Sequence, residues 1–348
     1  MAATPPNASP VPQRQAVLAA LQDAARFYRA EVGRSWVPDY LNRRNLYGQL
    51  HPAQLGYAPG GWTTTTDHLS RQGHAPAALQ AAGLARPTAQ GRLVDLFRDR
   101  LMIPLTDAAG VLVGFTGRAT PDSAADMPKY LNSPASEVFV KHDLLYGLAE
   151  DADALRRGAM PVLVEGPLDR LALAQAAGGL AVVGVAPCGT AFGPRQAAVL
   201  LQAVGGNRPI AVALDADAAG RAATRHAWET LTDAGARHLR HVELPVGKDP
   251  ADLVRNGRGN LLRHAIAQNT PLAHAVADNT IDDLTAATEP RDWQRDLLLA
   301  RRLFRTDLHR MPTDQVASYV AHVAARLRLE PEDATAAAAD AITWGSGT

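Results

Sequence analysis

The stretch Ile210-Ala-Val-Ala-Leu-Asp215-Ala-Asp217-Ala-Ala-Gly220-Arg221 constrains this chain more than any other. Ile210 to Leu214 is apolar without alternation, as a parallel strand covered on both faces requires. Asp215 and Asp217 are two apart, so while the backbone stays extended their side chains project to one side. Gly220 lets the chain turn close to whatever lies there. Two carboxylates about 4 Å apart repel by roughly 4 kcal/mol at an effective dielectric near 20. Either one takes a proton or a cation sits between them. A strand end whose aspartates cap the next helix would read the same way.

The residues around this stretch predict more of the same architecture. Pro161 to Glu165, Ala181 to Val185, Ile210 to Leu214 and His238 to Leu244 read as four short strands. Helical patterns separate them, to about Ala177, from Pro194 to Val204 and from Ala219 to Ala234. Strands alternating with helices at this spacing predict a small parallel α/β sheet with right-handed crossovers. Glu165 ends the first strand, Asp215 and Asp217 the third, and Asp249 follows the fourth. In such a sheet the carboxyl ends share one edge, so these acids can converge. Three or four carboxylates together suit a hard divalent cation, Mg2+ or Mn2+, and such sites handle phosphate substrates.

The remaining sequence divides around that sheet. Residues 1–14 are Pro- and Ala-rich and read as a disordered tail. Residues 15–158 read as an N-terminal α+β subdomain. Its helices are expected from Gln15 to Val32, Val37 to Leu46, around Thr66 to Leu69 and from Pro76 to Gly83. Gly56 to Trp62 reads as a turn, and Arg92 to Leu105 with Val111 to Phe115 as a hairpin. Met127 to Pro134 is expected to be an irregular loop, and Leu144 to Asp153 a helix. Residues 159–259 hold the parallel sheet. Residues 260–348 read as a helical subdomain broken at Pro271, Pro290 and Pro331, with a frayed tail from Trp344.

Composition narrows the chemistry. Across 348 residues the formal net charge is zero, so nucleic-acid binding needs a local basic patch. One cysteine, Cys188, excludes an internal disulfide and a thiolate zinc site, and it reads as a buried structural thiol. The eleven histidines include no pair four apart on a helix and no His-Glu-x-x-His run, which argues against a histidine-based zinc enzyme. No apolar run reaches membrane-spanning length, and residues 1–10 lack the charged start and apolar core of a secretory signal. A cytoplasmic protein with no membrane partner is expected.

Several ordered motifs then carry a family resemblance. Val162-Leu-Val-Glu165-Gly166-Pro-Leu-Asp169 resembles the Glu-Gly-x-x-Asp motif of the Toprim domain, and Asp215-Ala-Asp217-Ala-Ala-Gly220 its Asp-x-Asp-x-Ala-Gly motif. Four further stretches are similar, in order and spacing, to the catalytic core of bacterial DnaG-type primases. They are Phe97-Arg98-Asp-Arg100-Leu-Met-Ile-Pro, Gly114-Phe-Thr-Gly117-Arg118, Pro128-Lys129-Tyr130-Leu-Asn132-Ser133-Pro134, and Phe139-Val-Lys141 with Leu145-Tyr146-Gly147. Gly189-Thr190, Leu244 to Pro250, Tyr40 to Leu46 and Gly56 to Pro59 match as well, so the resemblance covers roughly residues 25–260.

The resemblance implies an enzyme, a DNA-directed RNA polymerase that makes short primers on single-stranded DNA from nucleoside triphosphates. It implies that Glu165, Asp215, Asp217 and Asp249 hold metal, with Glu165 also an acid/base and Glu165, Asp215 and Asp217 catalytic. Arg98, Arg100, Arg118, Lys129, Tyr130, Asn132 and Lys141 would meet nucleotide and template. Asp169, Gly166 and Gly220 would support the metal residues, Asp169 from the first turn of its helix. Solvated surface charge is the plain alternative for the basic residues. Complete primases of the family carry an N-terminal zinc module and a C-terminal helicase-docking module. This sequence lacks the cysteines for the former, so no zinc is expected. A replicative helicase or a separate template-recognition protein is the implied partner. Asp249-Pro250-Ala251-Asp252 departs from the frequent Asp-Pro-Asp, so one carboxylate is missing or displaced by one. A Toprim nuclease or phosphotransfer protein, and an inactive DNA-binding adaptor, are the competing readings.

Overall fold

The computed structural model describes residues 13–46, 55–124, 126–189, 191–245, 247–285 and 292–345. These fall into two compact units. One holds the described residues up to 150 together with 187–189, and the other residues 151–186 together with those from 191 on. Residues 1–12 of the expected tail, Thr190, Pro290 and the last three residues lie outside the described residues, whereas Arg14, expected in that tail, and Trp344 and Gly345, expected in a frayed end, are helical. Among the described residues no helix is long and apolar enough to cross a membrane.

In the first unit the helix Arg14–Glu31 buries Val17, Ala20, Leu21, Ala24 and Tyr28. That spacing of three and four makes one apolar stripe. The stripe packs on Phe97, Met102 and Phe115, with Tyr28 meeting Phe115 edge-on at 5.4 Å. The expected hairpin is present as Arg100–Thr106 against Leu112–Ala119, closed at Asp107, whose carboxylate accepts from the amides of Ala109 and Val111.

Several expectations for this unit are corrected. Arg92 to Leu105 is not one strand. Leu93–Asp95 pairs instead with Ala85–Pro87, and the chain turns a corner at Asp99, where φ is 48°. Gly56–Ala58, expected as a turn, is an antiparallel strand against Arg100–Met102. Tyr130–Asn132, expected within a loop, pairs with Thr116–Arg118. Three residues are too few to print a period of two, and only the neighbouring hairpin edge makes them strands. The helix expected over Leu144 to Asp153 is absent. Leu144 to Leu148 are all buried, and Gly147 has a φ of 102°, so there is neither a stripe nor a helical backbone. A short helix forms only at Ala152–Arg156.

The second unit carries the parallel sheet. Leu239–His241, Ile210–Val212, Met160–Leu163 and Val182–Pro187 lie side by side in that order, all parallel. Thr270–Pro271 adds an antiparallel edge strand, which its two residues do not announce in the sequence. The central runs are fully buried: Val162, Leu163, Val164 and Ile210 to Ala213 expose nothing. Pro167, Pro194 and Pro250 each sit in the first turn of a helix, where the missing amide hydrogen is not needed. The long helix Ala218–Asp233 follows Asp217. Helices Leu272–Thr285, Trp293–Asp307, Thr313–Leu327 and Pro331–Gly345 complete the unit.

Candidate active site

Strand order decides where the acids go. The first strand, Met160–Leu163, and the third, Ile210–Val212, are neighbours at the sheet centre, and the chain leaves them toward opposite edges. Ligands of open α/β sheets collect at such a switch point, beyond the carboxyl ends of the strands. Glu165 and Asp215 lie just beyond those two ends. The amide of Asp215 donates to Oε1 of Glu165 at 3.1 Å, joining residues fifty apart in sequence.

Each further acid has a defined place. Asp217 caps the helix Ala218–Asp233, its Oδ1 accepting from the amide of Gly220 at 2.8 Å. Asp249 caps Pro250–Arg255 by accepting from the amide of Asp252. Asp169 stands in the first turn of Pro167–Ala176 and accepts from the amide of Ala251 at 3.3 Å. The capping reading is realised at Asp217 and Asp249, each through one oxygen. Gly220 is required by contact: a Cβ there would sit 1.9 Å from the carbonyl oxygen of Asp215. Arg221 reaches Asp283 at 3.1 Å.

The carboxylates raise one another. Burial, then the charges of Glu165, Asp169, Asp249 and Asp217, push Asp215 up to about 7. Burial and the charge of Asp249 push Asp169 up to about 7 as well, against the hydrogen bond from Ala251. Oδ1 of Asp215 is buried without a hydrogen-bond partner. Among the described residues no three His, Cys, Asp or Glu side chains are already arranged to hold a metal. The electrostatics and the geometry thus differ in degree: the acids are near enough to repel but are turned toward their caps. The all-oxygen donor set, the mutual repulsion and the orphaned Oδ1 fit a hard divalent cation. Glu165, Asp215, Asp217 and Asp249 are the residues that would hold it.

The basic residues gather in the first unit, with unequal exposure. Arg98 lies over the exposed ring of Trp62, 4.2 Å from its centre, and donates to the Asp95 carbonyl at 2.7 Å. Arg100 is 4% exposed and donates to the carbonyls of Gly117 and Pro128 at 2.9 and 3.0 Å. Burial, then the neighbouring charge of Arg98, lowers its pKa. Arg118 is also buried, sits 5.3 Å from the ring centres of both Tyr40 and Tyr130, and donates to the Tyr130 hydroxyl at 3.0 Å. Lys129 is exposed and Lys141 partly buried. Asn132 donates to the carbonyl of Cys188 at 3.2 Å. Burial pushes the Cys188 thiol up to about 12, as an inert structural thiol requires.

Sequence reasoning did not single out Trp62, Trp36 or Asp99, and it read Tyr40 only as an apolar helix position and part of a motif. Their signal is an aromatic side chain beside a turn or an acid between two arginines, each common on any surface.

A parallel sheet with acids at its switch point, in a chain whose other unit bears an arginine–aromatic face, defines a Toprim-containing nucleic-acid enzyme core. The family model described as the DNA primase catalytic core, N-terminal domain, matches residues 27–152, and a Toprim-like model matches residues 162–254. A DNA primase of Synechococcus elongatus is 36% identical over 301 residues, covering 83% of this chain and 40% of that protein. A DNA primase domain from Pseudomonas aeruginosa is 31% identical with a TM-score of 0.70, covering 92% of this chain and 99% of that structure. A DnaG primase catalytic domain bound to ssDNA is 30% identical with a TM-score of 0.68, covering 92% and 98%. The chain belongs to the catalytic-core family of DnaG-type primases. It spans about 40% of the length of that Synechococcus relative.

Proposed function

We propose that this chain is a primer-synthesising core that condenses ribonucleoside triphosphates on single-stranded DNA. The observation that carries the reading is the Glu165–Asp215 contact at the switch point, with three further carboxylates acting on Asp215. A terminal 3′-hydroxyl attacks the α-phosphorus in line, the bond to the β-phosphate oxygen breaks, and pyrophosphate leaves. Glu165, exposed and with Oε1 held by the Asp215 amide, takes the hydroxyl proton. When bound, Mg2+ or Mn2+ offsets phosphate charge during the displacement. Asp215, Asp217, Asp249 and Glu165 hold that cation, supported by Asp169, Gly166 and Gly220. Arg98, Arg100, Arg118, Lys129, Tyr130, Asn132 and Lys141 bind template and nucleotide, arginine by paired donors and tyrosine by stacking. A replicative helicase or a template-recognition protein brings the core to its template.

Labelled ribonucleotides, an unprimed single-stranded template and Mg2+ test this reading, with Asp215→Ala and Asp217→Ala as controls. RNA products that disappear in both variants support it. DNA cleavage without synthesis would identify a nuclease, and metal-independent binding with neither activity an adaptor.

A further inference from the structure

Asp99 lies between Arg98 and Arg100 and has a left-handed backbone, with a φ of 48°. A residue other than glycine adopts this conformation only uncommonly, so the surroundings must hold it. Its carboxylate supplies the fastening. Oδ1 accepts from Nε1 of Trp36 and from the hydroxyl of Tyr57, both at 2.8 Å. Burial, then the hydrogen bond to Asp99, raises the Tyr57 pKa above its ordinary value, so the hydroxyl remains a donor.

The fastening reaches the arginines by two routes. In an unbroken strand Arg98 and Arg100 would project to the same side. The corner at Asp99 interrupts the strand and separates them. Arg98 goes over Trp62, and Arg100 goes beneath the Gly117 and Pro128 carbonyls. The second route is aromatic. Trp36 meets Tyr57 at 6.3 Å and Tyr40 at 5.4 Å, both edge-on, and Tyr40 in turn flanks Arg118.

We propose that Asp99 is a positioning residue: by accepting from Trp36 and Tyr57, its carboxylate sets the corner and the aromatic row that place Arg98, Arg100 and Arg118 for a nucleic-acid backbone. The proposal rests on the reading of these arginines as template- and nucleotide-binding. A purely conformational role at this corner would be met equally well by glycine, which adopts positive φ without strain.

That contrast supplies the experiment, with a fluorescein-labelled oligothymidylate as the probe and binding measured by anisotropy across a salt series. Asp99→Gly permits the left-handed backbone but removes the acceptor that fastens it. It is expected to weaken binding about ten-fold and to flatten the slope of log affinity against log salt by about 0.7 for each phosphate that the protein no longer neutralises. A smaller fraction of folded protein would not by itself change that slope. Asp99→Asn keeps an acceptor oxygen and tolerates the left-handed backbone, so binding is expected within about two-fold of the parent. Parent-like affinity and slope in Asp99→Gly, or an Asp99→Asn as weak as Asp99→Gly, overturns the proposal. Arg98→Ala is the separate control. No change there brings down the reading of the basic face itself. Weaker binding there with none in Asp99→Gly brings down only the role of Asp99.

Discussion

The Asp215 amide and the Glu165 carboxylate meet at 3.1 Å beyond two adjacent parallel strands, and this contact joins the two halves of the acid cluster. Oε1 of Glu165 is occupied by that amide, and Oδ1 of Asp215 is left buried without a partner. The two residues are thus joined through the backbone while their charges stay in opposition, an arrangement that a bound cation would relieve.

The first consequence is a pH dependence. Asp215 and Asp169 have folded-state values near 7, above the roughly 3.9 of an unfolded aspartate. The folded state therefore binds more protons, and its stability falls as pH rises. In chelator-treated protein this contribution is complete below about pH 4 and is lost progressively up to about pH 7. Thermal melts from pH 5 to 8 are expected to show that decline in chelator and a smaller one in Mg2+. Asp215→Asn should flatten the chelator profile and abolish the Mg2+ effect.

Asp217 combines a cap with a charge, and the two are separable. Asp217→Ser retains an acceptor for the Gly220 amide, so the melting temperature should stay close to that of the parent. Asp217→Ala should cost about 1 kcal/mol of stability. Both should weaken Mg2+ binding, read by calorimetry, and both should lower primer synthesis about a hundred-fold or more.

Gly220 tests the close approach of helix to strand end. In Gly220→Ala the new Cβ would meet the Asp215 carbonyl oxygen at 1.9 Å, a backbone atom that cannot step aside cheaply. A loss of about 1–3 kcal/mol in denaturant unfolding is expected, with weaker Mg2+ binding. Gly33→Ala, where nothing lies within 4 Å and φ is not positive, should be neutral or slightly stabilising.

Arg98 and Arg100 should separate in their phenotypes despite their spacing. Arg100→Ala strips the carbonyls of Gly117, in a buried bond, and of Pro128 of their donor and should destabilise by about 1–3 kcal/mol. Arg98→Ala should leave the melting temperature nearly unchanged while weakening binding to oligothymidylate. Equal loss of stability in the two would contradict the different burial of their side chains.

Much of this molecule was legible residue by residue. The apolar runs ending at Glu165 and before Asp215 marked buried parallel strands, and Pro167 stood at the start of the helix after the first of them. The hairpin from Arg100 to Ala119 was visible through its turn at Asp107. The strands Gly56–Ala58 and Tyr130–Asn132 were not, because each is three residues long and takes its conformation from a hairpin edge. The missing helix after Leu144 has the same lesson: apolar residues in a row suit a helix or a buried extended segment, and burial decided for the second.

The sequence by itself determined which side chains were available: four carboxylates after strand-like runs, a glycine after the acid pair, and arginines in ordered motifs. Tertiary structure alone decided that the first and third strands are neighbours, so that Glu165 meets the Asp215 amide, and that Asp99 turns Arg98 and Arg100 apart. Local pattern records burial and periodicity because those depend on near neighbours. Strand order and long-range hydrogen bonds depend on partners fifty or more residues away, which no short window of sequence contains.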